Sequence, residues 1–382
     1  MIPRRKVIRS TTVPQSLDTF CKGLLKELAE DYDVIALSSP GEALDLVGRR
    51  EGVRTIAVPM ERHISLLKDL KSLFSLIRVF RTEKPDMVHS MTPKAGLLCM
   101  LAAWMTRVPV RIHTFTGLIF PTSTGLKKRI LMLTDRITCA CATHVIPEGE
   151  GVKNDLINNK ITRKPLQVLG YGNVRGVDME YYSRRPEVEE RAGVIRNDNR
   201  FSFLFVGRIV RDKGINELVS AFCKLNAEYR KTRLFLVGDY EDKIDPVDAS
   251  TKNEIRHNVD IISVGRKTGN DLLAYYAASD CFVFPSYREG FPNTVLEAGA
   301  MDLPCIVTDI NGSREIIRDG YNGLIIPAHD EDSLYDAMKS ILTDPDKRQA
   351  LASVARHYIA EHYEQGFVRR CLYDFYEKVL GT

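Results

Sequence analysis

A chain of 382 residues, 44% hydrophobic and 27% charged, has an ordinary globular balance and enough length for two domains of roughly 100–200 residues. The net charge of +4 comes without aromatic–basic interleaving, which argues against a nucleic-acid partner, and no apolar run reaches the roughly 18 residues that would suggest a membrane-spanning helix. Eight cysteines without a Cys-x-x-Cys pair argue against a zinc or thiol-redox site and read as small core residues in a reducing compartment.

Along the chain, Met1–Ser10 is basic but no apolar signal-peptide core follows, so the expected location is cytoplasmic. Strand-like runs appear at Lys6–Arg9, Val34–Ser38, Thr55–Val58, Met87–Ser90, Val110–Thr114 and Thr143–Ile146. Helical periodicity lies between them at Leu17–Glu30, Ile64–Thr82, Ala95–Met105 and Leu126–Ala140. Ser16 reads as a helix N-cap. Residues 1–180 carry 27 Lys and Arg against 18 Asp and Glu, so this half should favour anionic partners. Within it, Glu61–Lys84 is a long amphipathic pattern whose apolar residues Ile64, Leu67, Leu70, Phe74, Ile77 and Phe80 share a stripe. Such a stripe reads first as core packing. The alternative is a basic helix lying on an anionic membrane surface, with Lys127, Lys128 and Arg129 as reinforcement.

A charged, strand-poor stretch at Tyr181–Arg200, with room for one short helix, marks a domain boundary. Beyond it a second alternating series has strands at Ser202–Val206, Leu234–Val237, Asp260–Val264, Asp280–Phe284, Cys305–Thr308 and Gly323–Ile326, with helices near Ile215–Tyr229, Asp271–Ala277, Thr294–Met301, Arg314–Arg318 and Ser333–Leu342. Strand–helix alternation predicts parallel sheets with right-handed crossovers. The expected architecture is therefore α/β, with two doubly wound Rossmann-like domains facing a cleft: residues 1–190, residues 200–362, and a C-terminal helix at 365–382 packing back on the first. Ligands of such sheets bind beyond the carboxyl ends of strands, so the segments following each strand are where chemistry is sought.

Three segments of the second series stand out. In FLFVGRIVRDKG, Arg208 and Lys213 follow a strand that ends at Gly207, and a helix starts after Gly214. Two cations at a strand end beside a helix start suit a polyanion such as a diphosphate; exposed cations on a plain turn are the alternative. In FVFPSYREGFPNTVLEAGA, Glu289 lies in a loop and Glu297 in the following helix. Amides from Phe291 to Val295 are expected to point toward the cleft, and carboxylates suit vicinal sugar hydroxyls. A first-turn charge is the structural alternative for Glu297. In VTDINGSREIIRDGYNG, Gly312 and Ser313 open another short helix.

Taken together, Gly207-Arg208, Lys213-Gly214 and the glutamates Glu289 and Glu297 in EGFPNTVLE resemble the retaining family-4 glycosyltransferases of GT-B fold, also called group 1. The resemblance implies transfer of a hexose or N-acetylhexosamine from a nucleotide diphosphate sugar, UDP-linked by expectation. The acceptor it implies is a glycan or a polyprenyl-diphosphate-linked saccharide, as in capsule or O-antigen synthesis. Arg208, Lys213 and Glu289 would be catalytic. Gly207, Gly265, Arg266, Gly290, Phe291, Pro292, Asn293, Thr294 and Glu297 would bind the donor. His89, Thr92, Lys94, Thr116 and Gly117 would face the acceptor. Many relatives carry a histidine near Thr116; here the histidine is His113, which puts that role in doubt, and the loop Gly117–Gly125 is flexible in composition. No metal and no cofactor are expected, since Asp31-Tyr32-Asp33 and Asp344-Pro345-Asp346 read as turn and N-cap. The expected site of action is the cytoplasm or the inner face of the plasma membrane. A sugar-nucleotide epimerase or hydrolase, or a non-catalytic nucleotide-sugar binder, are the alternatives on the same scaffold.

Overall fold

The computed structural model describes residues 4–61, 65–243 and 245–381. The chain divides into two compact units, residues 1–176 with 366–382, and residues 177–365.

The first unit runs β1 (Lys6–Ser10), α1 (Pro14–Cys21), α2 (Leu24–Asp31), β2 (Asp33–Ser38), α3 (Glu42–Glu51), β3 (Arg54–Ala57), α4 (Leu66–Glu83), β4 (Met87–Met91), α5 (Pro93–Met105), β5 (Val110–Phe115), α6 (Gly125–Cys141), β6 (His144–Pro147) and α7 (Glu150–Asn158). The second runs α8 (Pro186–Arg196), β7 (Phe201–Val206), α9 (Ile215–Tyr229), β8 (Thr232–Val237), α10 (Ala249–His257), β9 (Ile261–Ser263), α11 (Gly269–Ala278), β10 (Cys281–Phe284), α12 (Asn293–Ala300), β11 (Cys305–Thr308), α13 (Ser313–Ile316), β12 (Gly323–Ile326), α14 (Glu331–Thr343) and α15 (Pro345–Tyr363). The final helix, α16 (Gln365–Leu380), returns to the first unit.

Each unit is built on one parallel six-stranded sheet. The orders are β3-β2-β1-β4-β5-β6 and β12-β11-β10-β7-β8-β9, the same doubly wound winding twice. Strand order reverses between β1 and β4 and between β7 and β10, which opens a crevice at the carboxyl ends of those strands. The inner strands are buried on both faces and include continuous apolar runs such as Phe203-Leu204-Phe205-Val206, while the edge strands β3, β9 and β12 are partly open. All twelve expected strands form, with shifts of one or two residues at their ends.

Several expectations need correction. The helix expected over Leu17–Glu30 is two helices. Gly23 between them has φ 76°, and a Cβ there would lie 2.8 Å from a guanidinium nitrogen of Arg369, which donates to the Lys22 carbonyl at 2.7 Å. Ser16 is not a cap: α1 starts at Pro14 after Val13, because proline at the first position needs no N–H partner. The Gly117–Gly125 loop is pinned by Phe120, which is wholly buried at the start of a short 3₁₀ turn.

The largest correction concerns α4. Ile77 and Phe80 are buried with Leu76, but Leu66, Leu67, Leu70 and Phe74 are exposed; Ile64 lies outside the described residues. Ser72 and Leu76, not the expected stripe, turn the first half of the helix inward.

Candidate functional site

At the crevice of the second sheet, β7 ends at Val206 and Gly207 follows. Its neighbours at the ends of β8 and β9 are also glycines. Gly238 donates its N–H to the Gly265 carbonyl at 3.1 Å, and a Cβ on Gly238 would lie 1.7 Å from the Gly207 carbonyl oxygen. Three strand ends thus meet as bare backbone, a surface that a ligand can approach closely. Arg266 follows on this ledge, exposed, its N–H held by Asp239 at 3.2 Å.

Arg208 and Lys213 leave β7 and reach different carboxylates. Arg208 donates to Glu241 at 2.6 Å, with about half its side chain in solvent. Lys213 pairs with Glu289, and both are largely buried. The ammonium also lies 5.3 Å from the centre of the Phe284 ring, which favours a cation there. The loop Ser286–Pro292 that carries Glu289 is fixed from below. Ser286 is wholly buried and donates to Glu289 at 2.9 Å. Thr308 donates to the Ser286 carbonyl, and the Tyr287 N–H to the Asp212 carbonyl at 2.9 Å. Gly214, at φ 69°, allows the turn to lie against Pro285; a Cβ would come within 2.1 Å of its carbonyl oxygen. Gly207, Arg208, Lys213 and Glu289 thus lie at one crevice, Lys213 on Glu289 and Arg208 on Glu241, together with Gly238, Glu241 and Ser286, which sequence reasoning missed. Ser286 had a signal: a small polar residue directly after a buried apolar strand.

The other residues expected on the donor side lie on the next turn. α12 starts at Asn293 after Pro292. Val295 is not free to face a ligand, because its N–H donates to the Pro292 carbonyl at 3.1 Å within the helix. Gly290, Phe291 and Pro292 lie against Gly312, where a Cβ would approach the Gly290 carbonyl oxygen to 2.5 Å. Thr294 sits half-buried in the first turn. Glu297 is not a first-turn charge. It sits in the second turn, 5% exposed, and accepts the Tyr276 hydroxyl proton at 3.1 Å. Burial beside this carboxylate pushes the Tyr276 phenol well above its ordinary value, which keeps it a donor.

In the first unit the equivalent crevice is lined by threonines. Thr92, at φ 69°, accepts the Thr12 N–H at 3.0 Å, and the Thr12 hydroxyl accepts the Ala95 N–H at 3.1 Å, capping α5. Lys94 is paired with Asp69 at 2.7 Å, so an anion would have to compete with that carboxylate. His89 is buried rather than open to an acceptor. Its Nδ1 accepts from Arg9, which has no lone pair to give, so Nε2–H is the donor to Thr114 at 2.7 Å. Tyr376 of α16 joins the pair through its hydroxyl, 2.7 Å from Arg9. Burial and the Arg9 charge hold His89 well below its ordinary value. His113 is likewise buried, 2.9 Å from Ser90 and packed against Gly96; burial holds it down at about 3. Neither histidine is placed to exchange protons with a ligand. Thr116 and Gly117 remain half-buried at the end of β5.

Among the described residues no cluster of three or more His, Cys, Asp and Glu could hold a metal ion. Asp344 caps α15, accepting the Lys347 N–H at 2.9 Å. Asp31 and Asp33 span the junction of α2 and β2, at the amino end of the strand.

The chain matches two family models, one described as "Glycosyl transferases group 1" over residues 187–358 and one as "Glycosyl transferase 4-like domain" over residues 18–172. It is 31% identical over 379 residues, 98% of each chain, to the Staphylococcus aureus protein "Capsular polysaccharide biosynthesis glycosyltransferase CapM". It is 30% identical over 302 residues, 77% of this chain and 76% of the relative, to the Escherichia coli "UDP-Gal:alpha-D-GlcNAc-diphosphoundecaprenol alpha-1,3-galactosyltransferase". Among solved structures, Anabaena Alr3699/HepE in complex with UDP-glucose shares the fold, with a TM-score of 0.81 at 15% identity, covering 98% of this chain and 99% of that one.

Proposed function

The chain belongs to the group 1, family-4 glycosyltransferases, a GT-B protein of two Rossmann-like domains that acts in polysaccharide biosynthesis, and from that premise we propose that it transfers a hexose or N-acetylhexosamine from a UDP-sugar to a lipid-linked saccharide with retention at the anomeric carbon. The observation that carries this proposal is the largely buried Lys213–Glu289 pair at the β7–β10 switch point, beside the start of α12. An ammonium and a carboxylate in one pocket suit a ligand that is anionic at one end and rich in hydroxyls at the other.

In this proposal the donor diphosphate lies along the glycine ledge, with Arg208 and Lys213 on its oxygens. The bond from the sugar anomeric carbon to the diphosphate oxygen breaks, and both electrons leave with UDP. Cations set in place beforehand stabilise that charge more in the transition state than in the ground state. The acceptor hydroxyl oxygen forms the new bond from the same face, and its proton passes to the departing phosphate. Glu289 accepts hydrogen bonds from sugar hydroxyls and, through Lys213, holds the ammonium in place. Glu297, its orientation set by Tyr276, is assigned the ribose diol. The cations take the part a divalent metal would otherwise play, so we propose transfer without a metal.

The test is an incubation with labelled UDP-sugars and an undecaprenyl-diphosphate saccharide. Lys213→Ala and Glu289→Ala should each lower turnover by roughly a hundredfold or more, with circular dichroism unchanged, and a chelator should leave the wild type active. A folded variant with wild-type turnover would remove the pair from the mechanism. Isomerised or hydrolysed donor without acceptor would favour the epimerase or hydrolase alternative. Activity that a chelator abolishes and a divalent ion restores would overturn transfer without a metal.

A further inference from the structure

Both cations assigned to the donor diphosphate already carry a carboxylate, and the two pairs are built differently. The Lys213 and Glu289 side chains are 13% and 16% exposed, and Ser286 braces the acid from below. Those of Arg208 and Glu241 are 47% and 33% exposed. Among the described residues these two side chains hydrogen-bond to each other alone, at 2.6 Å. The charged heads of the second pair can therefore part without breaking another contact.

The loop that carries Glu241 is anchored independently of that contact. After β8 the chain runs Gly238-Asp239-Tyr240-Glu241 beside the loop that follows β7, and the Ile209 N–H donates to the Asp239 carbonyl at 2.9 Å. The Asp245 N–H closes back on the Glu241 carbonyl at 3.3 Å, and the Arg211 N–H donates to the Asp245 carbonyl at 3.2 Å. Residues 239–248 hold five acids against one lysine, and four of the acids hold other parts of these loops. Asp239 accepts the Arg266 N–H, Asp242 pairs with Lys252, Asp245 accepts the Asp212 N–H and Asp248 pairs with Arg211. Glu241 is the fifth, and it sits on a cation that a polyanion would claim. A partly exposed ion pair of this kind adds little to folding stability. It bears directly on an incoming anion, because diphosphate oxygens on the Arg208 fork would stand beside a carboxylate of the same sign.

We propose that Glu241 is a built-in counter-ion for Arg208, which the donor diphosphate displaces and which reclaims the guanidinium when UDP leaves. Its repulsion acts more strongly on product than on donor. Breaking the glycosyl bond frees the terminal phosphate of UDP, which near neutral pH carries about one more negative charge than it did as a sugar diester. Glu241 therefore weakens the hold on UDP and favours its release. This inference rests on the donor reading above.

Calorimetric titration of UDP into the full chain tests it. Glu241→Gln should bind UDP about fivefold more tightly than the wild type, the effect of one partly exposed charge, with slower dissociation and an unchanged melting temperature. UDP-glucose, a diphosphate diester, should gain less. Arg208→Gln should bind UDP more weakly, and Glu241→Gln added to it should bring less than about a twofold gain, because without the guanidinium the carboxylate is free to turn into solvent. The inference is overturned if Glu241→Gln binds UDP as the wild type does or more weakly, if the gain is as large with Arg208 replaced, or if UDP-glucose gains as much as UDP. A wild type that fails to bind UDP, or an Arg208→Gln variant that binds it unchanged, sinks the donor reading and this inference with it. UDP binding that needs Arg208 but ignores Glu241 sinks this inference alone.

Discussion

Individual side chains here do work that their place in the sequence only half reveals. Arg208 and Lys213 stand out in the sequence as cations that follow a strand, with a plain turn as their alternative, and Glu289 as an acid in a glycine-bearing loop with no such alternative. Their partners stand out less: Glu241 reaches Arg208 from the loop after β8, and Ser286 bonds Glu289 from three residues earlier in the same loop. The histidines go the other way. His89 was expected to face the acceptor, yet it lies inside β4 and His113 inside β5, both buried and hydrogen-bonded within the first unit. That burial predicts a pH dependence. His113 titrates at about 3 in the folded chain against an ordinary 6.5, so below that ordinary value the unfolded chain takes up a proton that the folded chain refuses. Stability is full above the unfolded value and falls with acid by up to about 1.4 kcal/mol per pH unit for each such histidine. Urea midpoints measured from about pH 7.5 down to about pH 5 should therefore decline, and His113→Gln should flatten the decline. An equal slope in the variant would show that other groups cause it.

Elements are where periodicity served best and misled most. Continuous apolar runs of four to six residues between helical stretches identify buried parallel strands, and all twelve formed. Helix boundaries depended on contacts the pattern does not contain, as at Gly23, where Arg369 takes the space that a longer helix would fill. The α4 stripe failed for a related reason: an apolar stripe states that a face is apolar, not that the fold has something to cover it. Close approach of elements also makes Gly312 a sensitive position. Gly312→Ala would drive a Cβ into the Gly290 carbonyl at 2.5 Å, at φ 74°, so α13 must shift from the loop that precedes α12. The expected cost is about 1–3 kcal/mol, read as a lower urea midpoint together with a weaker UDP-induced stabilisation. Wild-type values for both would mean that the two loops part without consequence.

Over the whole molecule, chain connectivity matters more than sequence order. α16 lies about 190 residues beyond the rest of the first unit, yet Leu372, Phe375 and Tyr376 are part of its core beside Leu25, Leu28 and Val34. Tyr376 also hydrogen-bonds the buried Arg9. Ending the chain at Gln365 should remove roughly 1.5–3 kcal/mol for each of these three side chains, a large share of a domain's 5–15 kcal/mol. Limited proteolysis with mass spectrometry should then cut the first unit readily while residues 177–365 stay protected. A truncated chain whose first unit resists cleavage would show that α16 is dispensable for that core.

The sequence by itself determined the two parallel sheets, their strands, and the cations and acids that follow the strands of the second unit, because these depend on short-range periodicity and on residue types that have few uses at a strand end. Only the tertiary structure decided which of those groups are paired, which are buried and which faces stay open. Glu289 with Lys213, Glu297 under Tyr276, the enclosed histidines and the uncovered apolar side of α4 and α6 all follow from contacts between residues distant in the chain. Charge state and solvent exposure are properties of those contacts, and no local pattern records them.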